Sequence, residues 1–149
     1  MEQTSFELTP KQKGILAALS RETGKPISAL LDEQCATNPD ITITSSVDES
    51  VTLPHALEIP IYRLIQEALT NIHKHARATC ASVTLSTRYG LLIVEISDNG
   101  GGFEVKETAP EQMGLRNMRE RVREVGGVWE IFSKPNQGTT IRTCFPLLD

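Results

Sequence analysis

Between Ala56 and Ala76 the apolar residues recur at helical spacing, and no other segment restricts the fold as much. At about 100° per residue, Ile61, Leu64, Ile65, Ala68, Leu69 and Ile72 fall on one stripe of a long amphipathic helix. Such a stripe needs an apolar surface to cover it, and the residues that follow supply a sheet. Residues 80–88 alternate, with Val83 and Leu85 set between Ser82, Thr84 and Ser86. Tyr89-Gly90 makes a turn, and Leu91-Leu92-Ile93-Val94-Glu95-Ile96 is apolar enough for a central strand. Residues 128–133 and 139–145 read as a closing hairpin around Pro135-Asn136-Gln137-Gly138. Ile41-Thr42-Ile43-Thr44 alternates as a further strand. Met113 to Val125 reads as a second amphipathic helix that stops at Gly126-Gly127. The expected fold is an α/β (α+β) two-layer sandwich, with helices packed on one face of a mixed, mainly antiparallel sheet of about five strands.

The remaining segments read more simply. Residues 1–8 form a loose tail, and Thr9-Pro10 starts a helix running to about Arg21. A further helix is expected from about Ile27 to Thr37, with loops at 45–54 and 99–112. Residues 1–26 are read as a tail and helix, possible remnants of a linker, and 27–149 as the main domain.

Composition narrows the partners. A chain of 149 residues favours one domain with a core that needs no disulfide or structural metal. Its net charge is -4 and it has no basic run, which disfavours nucleic acid. Cys35, Cys80 and Cys144 are odd in number and widely spaced, as unpaired thiols in a reducing compartment would be. Apolar runs such as Leu91 to Val94 are far short of the roughly 20 residues of a spanning helix, so a cytoplasmic module without membrane contact is expected, within a parent that could itself be anchored.

Four short stretches carry chemistry. On the long helix, Glu67, Asn71 and Lys74 lie at the edge of the apolar stripe, where a cleft would open. An asparagine oxygen can ligate a hard metal, a lysine can neutralise phosphate, and a glutamate can polarise an attacking group. Taken alone, these residues are read more readily as a solvated helix edge with an ion pair. Asp98 ends the apolar strand and by alternation shares a face with Leu92, Val94 and Ile96. A carboxylate there is costly without a donor, and an adenine amino group would serve as one. Gly100, Gly101 and Gly102 follow, and such a run costs conformational entropy unless it has a use. Asp-Asn-Gly is also ordinary turn chemistry. Met113-Gly114-Leu115-Arg116 opens a helix whose free amides could meet phosphate oxygens, with Arg116 and Arg119 nearby. Gly138-Thr139 begins the last strand, and Thr139 could turn its hydroxyl toward Asp98 if the two strands are neighbours.

In this order the stretches resemble the motifs of the GHKL ATPases, with the Bergerat-type ATP-binding fold. Glu67-x-x-x-Asn71 is similar to the N box, Asp98-x-Gly100-x-Gly102 to the G1 box, Gly114 and its neighbours to the G2 box, and Gly138-Thr139 to the terminal glycine-threonine element. Tyr62 to Asn71, Lys74-His75-Ala76 and Met118-Arg119-Glu120-Arg121 most resemble the catalytic domain of bacterial sensor histidine kinases paired with LuxR-type response regulators. The resemblance implies ATP and Mg²⁺ as ligands. It implies Asn71 as the magnesium ligand and Asp98 as the acceptor of the adenine amine. Gly100 and Gly102 would shape the adenine pocket and lid hinge. Lys74, His75, Met113, Gly114 and Leu115 would lie near the phosphates, and Thr139 would be a further ATP-binding residue. Glu67 would take a catalytic part alongside Asn71.

It also implies transfer of the γ-phosphate to a histidine. His55, His73 and His75 are followed by Ala56, Lys74 and Ala76, never by the acidic residue of a phosphoacceptor. Residues 1–26 are too short for the helical dimerisation domain. The acceptor is therefore expected on a separate histidine-containing domain, with a response regulator engaged indirectly. Two other readings remain: a free-standing anti-sigma-type serine kinase, and a nucleotide-sensing module without transfer activity.

Overall fold

The fold is seen in a computed structural model that describes residues 4–5, 41–48, 54–106 and 109–147. The helices expected near 10–21 and 27–37, Cys35, and the division at residue 26 lie outside them. Six strands form one sheet: β1 (Thr4–Ser5), β2 (Thr42–Val47), β3 (Cys80–Arg88), β4 (Leu91–Asp98), β5 (Val128–Ser133) and β6 (Thr139–Pro146). Their order is β1-β2-β3-β4-β6-β5. The first two pairings are parallel and the other three antiparallel, the mixed sheet expected from the sequence.

Helix α1 (His55–Asn71) and helix α2 (Met113–Glu124) pack on this sheet. Ile61, Ile65 and Leu69 of α1 are fully buried, as are Leu92, Val94 and Ile96 of β4. Burying each such side chain stabilises the fold by about 1.5–3 kcal/mol. Met118 and Val122 fix the buried side of α2. Tyr89 (φ 53) and Gly90 (φ 74) both have left-handed backbones, the turn that matches the twist of a two-residue hairpin. Gly126 (φ 80) and Gly127 end α2, the Gly127 N–H donating to the Val122 carbonyl at 2.9 Å.

Three local expectations are corrected. The loop expected from residue 45 is strand as far as Val47, because β2 keeps register with β3 from Thr42–Cys80 to Val47–Leu85. The backbone ladder outweighs the polar side chains there. Thr4–Ser5, expected in a loose tail, pairs with the otherwise open edge of β2 at Ile43–Thr44. The long helix does not run regularly to Ala76. It widens after Asn71 into a π-helical turn, Ile72–Ala76, closed by Arg77 at φ 54.

The loop after β4 is clamped to the β5–β6 hairpin. The Asn136 N–H donates to the Gly101 carbonyl. Gly102 (φ 64) lies so close that a Cβ would overlap the Lys134 carbonyl and crowd that of Gly138. Gly138 (φ 74) stands in the same way against the Asp98 carbonyl. Gly114 differs, since a Cβ there meets nothing within 4 Å. Gly102→Ala is therefore expected to lower the urea-unfolding free energy by about 2 kcal/mol or more, by strain and backbone overlap. Gly114→Ala should leave it unchanged or raise it by up to about 1 kcal/mol.

Candidate functional site

Register assembles the floor of the site. Ala81, Asp98, Thr139 and Ser133 stand opposite one another across β3, β4, β6 and β5. The next row on that face is Val83, Ile96, Ile141 and Ile131, wholly apolar. The helix-covered face therefore ends in a row that carries a carboxylate and two hydroxyls. Ala68, Asn71 and Ile72 lie above it, and with Asp98, Thr139, Gly102, Phe103 and Leu115 they enclose a cavity of about 70 Å³. Beside it lies a wider cavity of about 600 Å³, lined by Glu104, Lys106, Gln112 and Gly114. Asn71, Gly102, Phe103 and Leu115 border both. A narrow, mostly apolar slot thus adjoins a larger cavity of mixed polarity, with Asn71 at the junction.

Asp98 is half-buried, and burial raises its pKa above the ordinary 3.8. The backbone N–H groups of Gly100 and Thr139 oppose that rise, the first at 2.7 Å from Oδ1. The carboxylate is thus oriented by two amides and keeps acceptor capacity for a third donor. The Thr139 hydroxyl, expected to turn toward Asp98, lies 2.8 Å from Ser133 Oγ instead. It is the Thr139 amide that serves the carboxylate. The Asn71 side-chain amide points its Nδ2 at Met118 Sδ, 3.8 Å away on α2.

The loop over the wider cavity is held by polar contacts. Gln112 Nε2 donates to the Glu104 carbonyl at 3.0 Å, and Gln112 Oε1 accepts from the Lys106 N–H at 2.9 Å. Arg116 Nη1 donates to the Ala109 carbonyl at 3.1 Å. A short 3-10 turn, Pro110–Gln112, leads into α2, so the Met113 N–H is already bonded to the Pro110 carbonyl. The first amide of that helix is therefore already taken, whereas the sequence alone offered it free to an anion.

Of the expected site residues, Asn71, Asp98, Gly102, Gly114, Leu115 and Thr139 border the two cavities. Gly100 is buried and its N–H serves Asp98. Glu67 is half-buried on α1, Lys74 is exposed on the π-helical turn, and Met113 is 54% exposed; none is among the lining residues. The side chain of His75 is outside the described residues. Arg119 lies with Arg123 and Trp129 in a neighbouring cleft that shares Lys106, Gln112 and Leu115 with the wider cavity, its Nε 3.6 Å from Glu120. Phe103, Gln112 and Ser133 were not foreseen. Phe103 could have been suspected from its place after the Gly102 hinge, whereas Ser133 comes to the site only through strand pairing.

Among the described residues, no helix is long and apolar enough to cross a membrane. Cys80 and Cys144 are free thiols.

The chain is similar to several known proteins. It is 37% identical over 99 residues to the sensor protein VraS of Staphylococcus saprophyticus, a match covering 66% of this chain and 28% of that protein. VraS of Staphylococcus aureus is 39% identical over 95 residues, covering 64% and 27%. The chain therefore spans little more than a quarter of these relatives. The histidine kinase domain of the Erythrobacter litoralis EL346 blue-light activated histidine kinase superposes with TM-score 0.69 at 24% identity, covering 96% of this chain and 65% of that one. The Acinetobacter baumannii histidine kinase AdeS superposes with TM-score 0.63 at 10% identity, covering 93% and 78%. At these identities the superpositions establish the fold. Residues 56–149 match the profile of the histidine kinase-, DNA gyrase B- and HSP90-like ATPases, and the chain belongs to that family.

Proposed function

We propose that this chain is the ATP-binding catalytic domain of a sensor histidine kinase. It binds ATP in the slot between α1 and β4–β6, and its γ-phosphoryl group passes to a histidine on a separate helical domain. The observation that carries the reading is the meeting of Asp98, Thr139 and Asn71 around one narrow slot beside a wider cavity of mixed polarity. Adenine would occupy the slot, its amine donating to Asp98, between the apolar side chains of Ile96, Ile141 and Leu115. The phosphates would extend past Asn71 toward Lys106, Gln112 and Gly114.

The donor set fits Mg²⁺ held mainly by water and phosphate oxygens. No group of three His, Cys, Asp or Glu side chains is placed to hold an ion among the described residues. With its Nδ2 turned to Met118, Asn71 directs its oxygen away from the core, and one neutral oxygen suits a hard, hydrated ion. When bound, Mg²⁺ neutralises phosphate charge. The bond from the γ-phosphorus to its bridging oxygen breaks as a bond to the acceptor imidazole nitrogen forms, and ADP leaves. Most of the rate comes from positioning and charge stabilisation. The chain's part is to hold the base on Asp98, orient the phosphates at Asn71, and exclude water with Phe103 and Gln112. The site roles of Glu67, Lys74, His75, Met113 and Gly114 belong to the same proposal, as do the response regulator as eventual acceptor and a cytoplasmic setting.

Four outcomes are expected. A fluorescent ATP analogue should bind the wild type and lose most of its affinity in Asp98→Asn; full binding by that variant would sink the adenine assignment. Asn71→Ala should bind with little dependence on magnesium, measured by titration with and without the ion. Labelled ATP, with a separate helical histidine domain, should yield acid-labile phosphate on that domain; binding without transfer would favour a sensing module.

The fourth outcome concerns pH. Because the folded pKa of Asp98 is raised, its contribution to stability is present below the unfolded value and lost as pH rises through the folded one. At neutral pH the ionised group opposes folding. Asp98→Asn should thus keep or raise the melting temperature of the ligand-free domain while abolishing the rise that ATP causes. ATP affinity of the wild type should fall as pH drops through the raised pKa, above 3.8.

A further inference from the structure

Ser133 stands where three parts of the site meet, and its hydroxyl has more partners than a surface serine needs. The Phe103 N–H donates to Oγ at 2.9 Å. The Gly138 carbonyl lies 3.1 Å away and the Thr139 hydroxyl 2.8 Å away. A serine hydroxyl has one proton and two lone pairs. The Gly138 carbonyl can only accept, so it takes the serine proton. Both lone pairs are then used, one by the Phe103 N–H and one by the Thr139 O–H. The Thr139 proton is therefore committed to Ser133 and turned away from the slot. Thr139 lines that slot beside Asp98. Its amide is committed too, to the Asp98 carboxylate.

We infer that Ser133 is a positioning residue for base specificity: by holding the Thr139 proton it makes the slot floor a pair of acceptors, which selects a purine with a 6-amino group over one with a 6-oxo group. This rests on the reading of the slot as the adenine site. A 6-amino group offers two N–H donors, one for Asp98 and one for Thr139. A 6-oxo purine can still give its ring N–H to Asp98, but its carbonyl would face the lone pairs of Thr139, and an unmatched polar group in a half-buried slot is costly. Were Thr139 free to rotate, its proton could turn to that carbonyl and the discrimination would shrink. The same serine anchors the first amide of the loop after Gly102, so base and lid hinge share one support.

The test compares Kd for ATP and for inosine triphosphate, measured by displacement of a fluorescent ATP analogue. In Ser133→Ala, the preference for ATP over inosine triphosphate should fall by about tenfold. Ser133→Thr keeps a hydroxyl and should retain most of the preference. Melting curves of each variant without nucleotide report whether it is folded. A purely structural serine would weaken both nucleotides alike. An equal loss in Ser133→Ala, or an unchanged ratio, overturns this inference while leaving the nucleotide site standing if wild-type binding still depends on Asp98. If the wild type binds neither nucleotide, or binds both regardless of Asp98, the adenine assignment itself falls and this inference falls with it.

Discussion

In the ladder between β4 and β6, Asp98 stands opposite Thr139, and that pairing runs unbroken to Leu91 and Pro146 at the other end. Side chains alternate with period two, so a slip of one residue would turn every residue of β6 to the opposite face. Ile141 and Phe145 would leave the core, and Thr139 would leave the slot. The register is thus held by the apolar residues nearest the middle of the sheet. The polar row at its end inherits that accuracy without paying for it separately. The same ladder continues to β5, which is how Ser133 reaches the site from a strand that does not pair with β4.

That inheritance explains how a carboxylate can be kept half-buried at the rim of a core. Asp98 is pushed toward its neutral form by burial, and the two amides that oppose this are both products of the fold: one from the turn it begins, one from the neighbouring strand. The proposed ligand donor would relieve the remaining imbalance. A site that costs stability when empty and gains it when filled is a natural arrangement for recognition.

Periodicity carried much of this from the sequence. Asp98 was placed on the core side by alternation with Leu92, Val94 and Ile96, and Asn71 at the stripe edge by helical spacing; both lie in the cleft. Both inferences are local, needing only the period of one element. The features that escaped depend on contacts between elements. Ser133 reaches Thr139 and Phe103 through strand pairing and a loop clamp. The π-helical turn after Asn71 was not foreseen, and Lys74 on it is exposed and borders neither cavity. Arg119 lines only the neighbouring cleft with Arg123 and Trp129, whereas Leu115, one turn earlier on α2, borders that cleft and both site cavities. Strand β2 was half hidden, since Ser45 and Ser46 read as loop while their backbones complete a ladder.

The two ends of the cleft are built from different materials, and this decides how each can behave. The floor under the slot is sheet, backed by Ile96 and Ile141 and tied to the hairpin through Gly102 and Ser133. Moving it means breaking strand pairings. The loop over the wider cavity rests on side-chain hydrogen bonds from Gln112 and Arg116 to its backbone. Val105 is 43% exposed there, and Ala109 is its only buried apolar residue among those described. Each such bond contributes about 1 kcal/mol net, so the loop can open at a small part of the cost of disturbing the floor. On the proposed reading, a base held by a rigid floor and phosphates covered by a loosely held loop would let the domain retain its nucleotide while uncovering the phosphate to be transferred.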